Sequence, residues 1–137
     1  MNPTQVNHQT TDSSDAALTR ILIVDDHPDM RRLLSVTMGK KYRILEAADG
    51  VSALRMIEHH NPRLVLLDVM MPGPMNGLQL LSIIKGDSKL KHIIVGMVTA
   101  RGQSADGAEA RQRGADAYFI KPFSPRTICA WVDDQLQ

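Results

Sequence analysis

The sequence predicts an α/β domain in which helices cover both faces of a five-stranded parallel sheet. From Arg20 onward, short apolar runs alternate with segments of helical period, the pattern of consecutive strand–helix–strand units. Three of the runs are almost wholly Val, Ile, Leu and Met, which is typical of strands that are buried on both faces. With 137 residues, 43% of them hydrophobic, the chain is sized for one domain with a substantial core.

The five predicted strands are apolar runs that turn-forming or polar residues delimit. In chain order they are Ile21–Val24, Tyr42–Leu45, Leu64–Leu67, Ile93–Val98 and Ala117–Ile120. If the sheet is doubly wound in the order 2-1-3-4-5, the first and third strands are neighbours at the point where the winding reverses.

Five helices are predicted after the strands. The first begins near Pro28, a residue suited to a first turn, and ends near Gly39, whereas Asn61-Pro62 ends the second. The fourth, about Ser104 to Arg113, contains Gly107 and has only alanines to bury, so it is predicted to be the least firmly held. The positions predicted to be buried are, helix by helix, Met30, Leu33, Leu34, Thr37 and Met38; Val51, Leu54 and Ile57; Leu80, Leu81 and Ile84; Ala105, Ala108 and Ala110; and Ile128, Val132 and Leu136.

Composition excludes several classes of protein. Sixteen Lys and Arg balance fifteen Asp and Glu, for a net charge of +1, and the cations are scattered, so we expect no nucleic-acid interface. Cys129 is the single cysteine, which precludes an internal disulfide and favours a reducing, cytoplasmic setting. The sequence contains no apolar run long enough for a membrane span and no secretory signal pattern.

Residues 1–19 are polar and contain no Lys or Arg, so they are predicted to form a flexible tail before a domain at residues 20–137. The alternative is a short helix over Asp15 to Leu18 that docks on the domain or on a partner.

Polar residues follow the predicted strands at the edge where ligands bind in open parallel sheets. The first strand leads into Asp25-Asp26, the third into Asp68, the fourth into Thr99-Ala100 and the fifth into Lys121-Pro122. Taken singly, such an Asp is more often a helix cap, such a lysine a surface residue and such a threonine a buried hydroxyl. Their joint placement favours a common site.

Three neighbouring carboxylates repel one another unless cations compensate them. Lys121 supplies one positive charge, and the all-oxygen donor set favours Mg²⁺, or Mn²⁺ in its place, over zinc. A magnesium ion beside a carboxylate, an ammonium and a hydroxyl is an arrangement for phosphoryl transfer.

In their order and placement these motifs resemble the receiver domain of two-component response regulators. They are Asp25-Asp26, Asp68 followed by Val-Met-Met-Pro-Gly, Val98-Thr99-Ala100 and Lys121-Pro122-Phe123. The resemblance covers about residues 20–137 and implies a flavodoxin-like, doubly wound fold.

The resemblance implies a role for each matching residue. Asp68 would be the acceptor that takes a phosphoryl group from a phosphohistidine, and Lys121, Thr99 and the Ala100 backbone would bind phosphoryl oxygens. Asp26 and Asp68, the Met70 carbonyl and, through water, Asp25 would hold Mg²⁺. Tyr118 would move with Thr99 and so switch a surface formed by the fourth helix, fifth strand and fifth helix, and Lys121-Pro122 would be a cis peptide.

Other features are specific to this chain. Compared with the commonest form in receiver domains, the loop after Asp68 is one residue longer, with Pro74 as the insertion and Asn76 where an Asp is usual. The resemblance implies that Met70 and Arg101 occupy positions that vary in the family and tune the lifetime of the phosphoryl group, and we expect a long lifetime. His27 is interpreted as a solvated residue at a helix start, with a contact to the metal or to a donor's phosphohistidine as the alternative. Arg31 and Arg32 are interpreted as solvated, with a kinase contact as the alternative, and Trp131 as part of the core at the edge of a partner surface.

The expected partners are a histidine kinase or histidine phosphotransfer protein as donor and a downstream protein as target, with the chain a monomer or a phosphorylation-dependent dimer. We expect a phospho-acceptor and not a multiple-turnover enzyme. The rival interpretations are a Mg²⁺-dependent phosphohydrolase, which would need an acid where Met70 stands, a phosphate-independent pseudo-receiver, and a receiver excised from a larger regulator or hybrid kinase.

Overall fold

The computed structural model describes residues 18–99 and 104–137, with the backbone alone for residues 104–106. Five strands form one sheet in the order β2-β1-β3-β4-β5, and every pairing is parallel. The predicted strand order is therefore confirmed. The elements are β1 Arg20–Val24, α1 Pro28–Met38, β2 Arg43–Ala47, α2 Gly50–His60, β3 Leu64–Asp68, α3 Gly77–Gly86, β4 Ile94–Thr99, α4 Ser104–Gln112, β5 Ala117–Ile120 and α5 Pro125–Leu136.

The core lies in two layers, one on each face of the sheet. Alternate residues of a strand enter opposite layers, so Leu22 packs with the α2 and α3 side while Ile21 and Ile23 pack with the α1 and α5 side. The side chains of β3 are buried along its whole length. The prediction of strands covered on both faces is confirmed, and it explains why β1, β3 and β4 lack the polar alternation of a half-exposed sheet.

On α1 the buried face is narrower than predicted. Leu34 and Met38 are buried, but Leu33 is 45% exposed and Thr37 lies outside the core, so their predicted burial is wrong. The contact face of α1 centres on Leu34 and Met38, which leaves Leu33 on the rim. Thr37 instead turns its hydroxyl back to donate to the carbonyl of Leu33 at 2.7 Å.

Smaller shifts affect two other helices. Val51 on α2 is exposed, because α2 contacts the core through Ala53 and Ile57. On α4, Ala108 is exposed although Ala110 is buried. The predicted burial of Val51 and Ala108 is therefore wrong. The side chain of Ala105 lies outside the described residues.

The second strand begins one residue later than predicted because Tyr42 belongs to the preceding turn. Its backbone N–H donates to the carbonyl of Met38 at 3.2 Å, and its ring is buried beneath α5. There the hydroxyl donates to Asp133 Oδ1 at 2.5 Å, and Lys41 pairs with the other oxygen of the same carboxylate at 3.0 Å. This contact ties α5 to the turn between α1 and β2.

We expect Tyr42→Phe to lower the free energy of unfolding at neutral pH by about 1 kcal/mol, the scale of a hydrogen bond to a partly exposed carboxylate. The hydrogen bond from Tyr42, followed by that from Lys41, lowers the pKa of Asp133, so the stabilisation is lost as the pH falls through that lowered value. Burial, followed by Asp133, raises the pKa of Tyr42 to about 12, so the stabilisation is also lost as the pH rises through that value. Urea unfolding of wild type and variant at neutral and acidic pH measures the deficit and its disappearance in acid. Lys41→Gln, at a largely exposed lysine, is the control with a smaller expected loss; a Tyr42→Phe deficit that is the same at both pH values would contradict the pairing.

Within the described residues, no helix has the length and apolar character needed to cross a lipid bilayer.

Candidate functional site

The carboxylate cluster, Asp25, Asp26 and Asp68, lies at the carboxyl edge of the sheet. Asp25 and Asp26 follow β1 directly, and Asp68 is the last residue of β3, the strand that pairs with β1. One ligand atom from each of these carboxylates and from His27 lies within 4.8 Å of the others. Asp25 and Asp68 are each only 4% exposed. The sheet order thus brings together residues that are 43 positions apart in the sequence (68 − 25).

Lys121, after β5, bridges the two buried carboxylates. Its Nζ donates to Asp68 Oδ2 at 3.1 Å and to Asp25 Oδ2 at 3.3 Å. Burial acts to lower the pKa of Lys121, but attraction and hydrogen bonding to Asp68 and Asp25 outweigh it, so the pKa is raised above its usual value. The ammonium is therefore charged at neutral pH and offsets one of the three negative charges.

The carboxyl of Asp68 is less acidic than an exposed aspartate. Burial raises its pKa above the usual value and the charge of Asp25 raises it further, while Lys121 and the backbone N–H of Met70 act in the opposite direction. Met70 donates that N–H to Asp68 Oδ1 at 3.2 Å. Both oxygens of Asp68 are thus oriented, and a further cation would relieve the remaining repulsion.

Asp26 supplies the observation that points to such a cation. Among the described residues its Oδ1 is buried and has no hydrogen-bond partner, a costly state for a carboxylate oxygen. Its neighbours in the cluster are the carboxylates of Asp25 and Asp68 and the ring of His27, and carboxylate oxygens are ligands that Mg²⁺ prefers. The residues present therefore fit a divalent cation bound through oxygen.

Thr99 lies on β4, which pairs with β3, and Tyr118 lies on β5, which pairs with β4. Thr99 ends β4 and is fully buried, and its carbonyl accepts the backbone N–H of Lys121 at 2.6 Å. Tyr118 on β5 is half-buried and packs over Gly107 of α4, where an added Cβ would lie 2.8 Å from the ring. Ala100 and Arg101, which the sequence also singled out, lie outside the described residues. The expected cis peptide between Lys121 and Pro122 is confirmed.

The loop after Asp68 passes through Gly73, whose φ of +93° suits glycine, and through Pro74, and leads into α3. Asn76 caps α3: its side chain accepts from the N–H of Gln79, and the Gln79 side chain accepts from the N–H of Asn76. Asn76 therefore has a structural role at the position where an Asp is common.

Sequence reasoning missed two supports of the cluster. Arg31 was interpreted as solvated, but its side chain is largely buried, donates to the carbonyl of Asp25 at 2.6 Å and pairs with Glu46. Its position three residues before Leu34 was the signal, because residues at that spacing share a helix face. The second support is Gly77, which has no side chain and so allows α3 to approach the end of β3. A Cβ at this position would lie 2.1 Å from the Asp68 carbonyl oxygen. Arg32 is exposed, as predicted.

The side chains of His27 and Trp131 are each partly exposed to solvent and also contact other side chains of the protein. The His27 side chain is 68% exposed, as expected of a residue at a helix start, yet its ring contacts Asp25 and Asp26. Trp131 is half-buried, and its ring meets Phe119 edge-on at a centroid distance of 5.5 Å, which confirms the prediction that it belongs to the core.

Comparisons with known proteins agree with this geometry. The family described as "Response regulator receiver domain" matches residues 21–133. The chain is 35% identical over 124 residues to the DNA-binding response regulator MtrA of Mycolicibacterium smegmatis, an alignment that covers 90% of this chain and 53% of MtrA. It is 37% identical over 114 residues to the phosphate regulon transcriptional regulatory protein PhoB of Klebsiella pneumoniae, covering 82% of this chain and 49% of PhoB.

The chain thus spans about half the length of the curated relatives it matches. Among solved structures, the receiver domain of NtrX from Brucella abortus aligns with a TM-score of 0.78 at 32% identity, over 85% of this chain and 97% of that one. With the flavodoxin-like sheet order and the family match over most of its length, the chain belongs to the receiver-domain family of two-component response regulators.

Proposed function

We propose that the chain accepts a phosphoryl group on Asp68 from a phosphohistidine donor and thereby switches a protein-interaction surface. The observation that carries the proposal is the arrangement of charge around Asp68. This carboxylate is buried and touches Lys121, while the neighbouring Asp26 keeps an oxygen without a hydrogen-bond partner among the described residues. Such a site is built to receive positive charge and a phosphoryl group together.

In the proposed transfer, an oxygen of Asp68 forms a bond to phosphorus as the phosphorus–nitrogen bond of the donor breaks. The donor histidine leaves as imidazole, and Asp68 becomes an acyl phosphate. Lys121 contributes a donor to one phosphoryl oxygen, and the Thr99 hydroxyl and the Ala100 backbone N–H contribute others. The burial of Asp25 and Asp68 keeps the carboxylates oriented before the donor arrives.

Asp26, Asp68 and the Met70 carbonyl are proposed as direct ligands of Mg²⁺, for which Mn²⁺ substitutes, with Asp25 acting through water. The ion supplies neutralisation of phosphoryl charge when it is bound. Lys121 forms ion pairs with Asp25 and Asp68, so the protein's own residues hold these carboxylates close together.

The proposed switch uses Thr99 and Tyr118. A phosphoryl group adds roughly −1.5 to −2 charges and three acceptor oxygens, which attract the Thr99 hydroxyl. Displacement of Thr99 opens space for the Tyr118 ring, which now rests on Gly107. Because that ring lies between β5 and α4, its movement changes the surface formed by α4, β5 and α5, where we place the contact with a downstream protein.

Met70 and Arg101 are proposed to lengthen the phosphoryl lifetime. Met70 is 59% exposed two residues after Asp68, and we expect its long side chain to hinder the approach of a hydrolytic water. The cationic Arg101 would act in the same way. We expect Arg101→Ala to lose phosphate several-fold faster than wild type, measured as decay of label from the isolated phosphoprotein; equal decay rates would remove Arg101 from this role.

The proposal is tested by incubating the chain with Mg²⁺ and a labelled phosphohistidine donor. We expect one label per chain, released by alkali as an acyl phosphate is, and no label when a chelator removes the metal.

Repeated turnover of small phosphate esters would favour a phosphohydrolase, although Met70 stands where such an enzyme needs an acid. Beryllofluoride with Mg²⁺ tests the switch, and unchanged Trp131 fluorescence and amide shifts would favour a pseudo-receiver.

Receiver domains take phosphate from histidine kinases, and we propose a histidine kinase or a histidine phosphotransfer protein as the donor here. We further propose that the chain works in the cytoplasm as a monomer or a phosphorylation-dependent dimer. MtrA is named as DNA-binding, and this chain spans about half of its length, so the absence of a nucleic-acid contact stays a prediction. The size of the native protein distinguishes a chain that acts alone from a receiver within a larger regulator.

A further inference from the structure

Arg31 connects α1 to β1 and β2 beside the carboxylate cluster. Its Nη1 donates to the carbonyl of Asp25 at 2.6 Å, and its Nε donates to Glu46 Oε1 at 3.2 Å. The other oxygen of Glu46 accepts the hydroxyl of Ser35, one turn further along α1, at 3.0 Å. Only 18% of the Arg31 side chain is exposed. A guanidinium that is held at two points of its planar fork is a rigid support.

The carbonyl that Arg31 holds belongs to the peptide unit between Asp25 and Asp26. That unit is planar, so the carbonyl of Asp25 and the N–H of Asp26 can only turn together. The N–H of Asp25 donates to the carbonyl of Ala47 on β2 at 3.1 Å, so the backbone of Asp25 is held on both sides. The chain therefore enters Asp26 in a fixed direction.

Asp26 depends on this backbone support more than the other two carboxylates do. Asp25 and Asp68 each accept a hydrogen bond from Lys121. Asp26 Oδ1, in contrast, has no hydrogen-bond partner among the described residues. Its position is consequently set by the backbone from which the side chain starts, and Arg31 holds the peptide unit that leads into that backbone.

We propose that Arg31 is a positioning residue for the cation site, where it orients the Asp26 carboxylate by holding the peptide unit that precedes it. The inference rests on the proposed function, because the ion concerned is the Mg²⁺ of the phosphoryl site. It assigns to a cationic side chain a favourable effect on the binding of a cation.

The charge and the hydrogen bond of Arg31 act on Mg²⁺ affinity in opposite directions. Two positive charges repel, so the guanidinium by its charge alone disfavours the ion. The hydrogen bond to the Asp25 carbonyl prepares the site and favours the ion. We expect the hydrogen bond to dominate, since residues that orient metal ligands contribute roughly 10- to 100-fold to affinity, and since Glu46 offsets the charge of Arg31.

The sign of the change in Mg²⁺ affinity tests this expectation. Arg31→Met removes the charge and the hydrogen bonds but keeps an unbranched side chain. By calorimetry we expect it to bind Mg²⁺ about tenfold more weakly than wild type, although loss of repulsion alone would tighten binding. Arg32→Met is the matched control, because it removes the same charge from the exposed neighbouring residue. Its affinity should stay within about twofold of wild type. Unchanged or tighter binding in Arg31→Met would overturn the assignment.

Two further measurements separate positioning from a general loss of structure. Urea unfolding gives the folded fraction of Arg31→Met, and a mostly folded chain cannot lose about tenfold in affinity through unfolding. At saturating Mg²⁺ the rate of phosphoryl uptake should return to within about threefold of wild type. The reason is that Arg31 donates to the Asp25 carbonyl and to Glu46 rather than to the acceptor. A rate that stayed low at saturating Mg²⁺ would place the effect in the transfer step and contradict a positioning role.

If Arg31→Met does not fold, Arg31→Lys provides the test. A lysine keeps the charge, but its single ammonium cannot reproduce the planar fork that joins the Asp25 carbonyl to Glu46, so we expect Mg²⁺ binding about threefold weaker than wild type. Unchanged affinity would overturn the proposal. A wild-type chain that binds no Mg²⁺ would overturn the magnesium site together with this role of Arg31. Wild-type binding that the Arg31 variants leave unchanged would overturn the role of Arg31 alone, so the two failures are distinguishable.

Discussion

Asp68→Asn should reduce phosphoryl uptake to below about 1% of wild type, because an amide lacks the nucleophilic carboxylate that the transfer needs. The substitution keeps the size of the side chain, so the loss would report chemistry and not a collapsed site. Uptake of label from a phosphohistidine donor in the presence of Mg²⁺ measures it. Asp116→Asn, at an exposed carboxylate that pairs with Lys85 far from the cluster, is the matched control and should keep wild-type uptake.

The stability of the variant separates lost chemistry from lost folding. Burial, and then the charge of Asp25, raise the pKa of Asp68 in the folded protein. A carboxyl with a raised folded pKa favours folding below its unfolded value, and that contribution is lost as the pH rises through the folded value. At neutral pH the ionised Asp68 therefore opposes folding, so Asp68→Asn should melt no lower than wild type. Label still incorporated at the same position in this variant would refute the central proposal.

Gly77→Ala should lower the free energy of unfolding by about 3 kcal/mol, at the upper end of what overpacking costs. An alanine Cβ at this position would lie 2.1 Å from the Asp68 carbonyl oxygen and 2.8 Å from the Val69 Cα. Both are backbone atoms of Asp68 and Val69 at the end of β3, so no side chain can rotate away and the strand end itself must move. Urea unfolding measures the loss.

Gly86→Ala is the control for this substitution. It makes the same chemical change at the other end of α3, and nothing lies within 4 Å of the added Cβ. Its stability should be unchanged or raised by less than about 1 kcal/mol, the difference in helix propensity between the residues. If Gly77→Ala were as stable as Gly86→Ala, the close packing of α3 on the end of β3 would be wrong. If Gly77→Ala folds, the displacement of the Asp68 backbone should also slow phosphoryl uptake.

The sheet was predictable because β1, β3 and β4 are almost uninterrupted apolar runs, and the side chains of β3 are buried along their whole length. The helix faces were less predictable. Leu33 and Leu34 both fit the helical period, and only the packing of α1 against the sheet and α5 decides that Leu34 is buried and Leu33 is not. Tyr42 shows the same limit, since its bond to Asp133 joins residues that sequence spacing does not relate.

The carboxylate cluster was predictable because parallel strands present their carboxyl ends at one edge, which places Asp25 near Asp68 without knowledge of side-chain geometry. The contacts that orient the cluster were not. The bond of Arg31 to the Asp25 carbonyl depends on how α1 is rotated. The contact of Gly77 with Asp68 depends on how closely α3 approaches β3.

The contact between Gly107 and Tyr118 limits how far substitution can stabilise α4. An alanine at position 107 would favour the helix by about 1 kcal/mol in isolation, but its Cβ would fall 2.8 Å from the ring of Tyr118. Helix stability and room for the aromatic ring therefore compete for the same space. Selection for thermal stability alone would be expected to fill this position, so a glycine here is what we expect if the durability of the fold is balanced against the proposed movement of the Tyr118 ring.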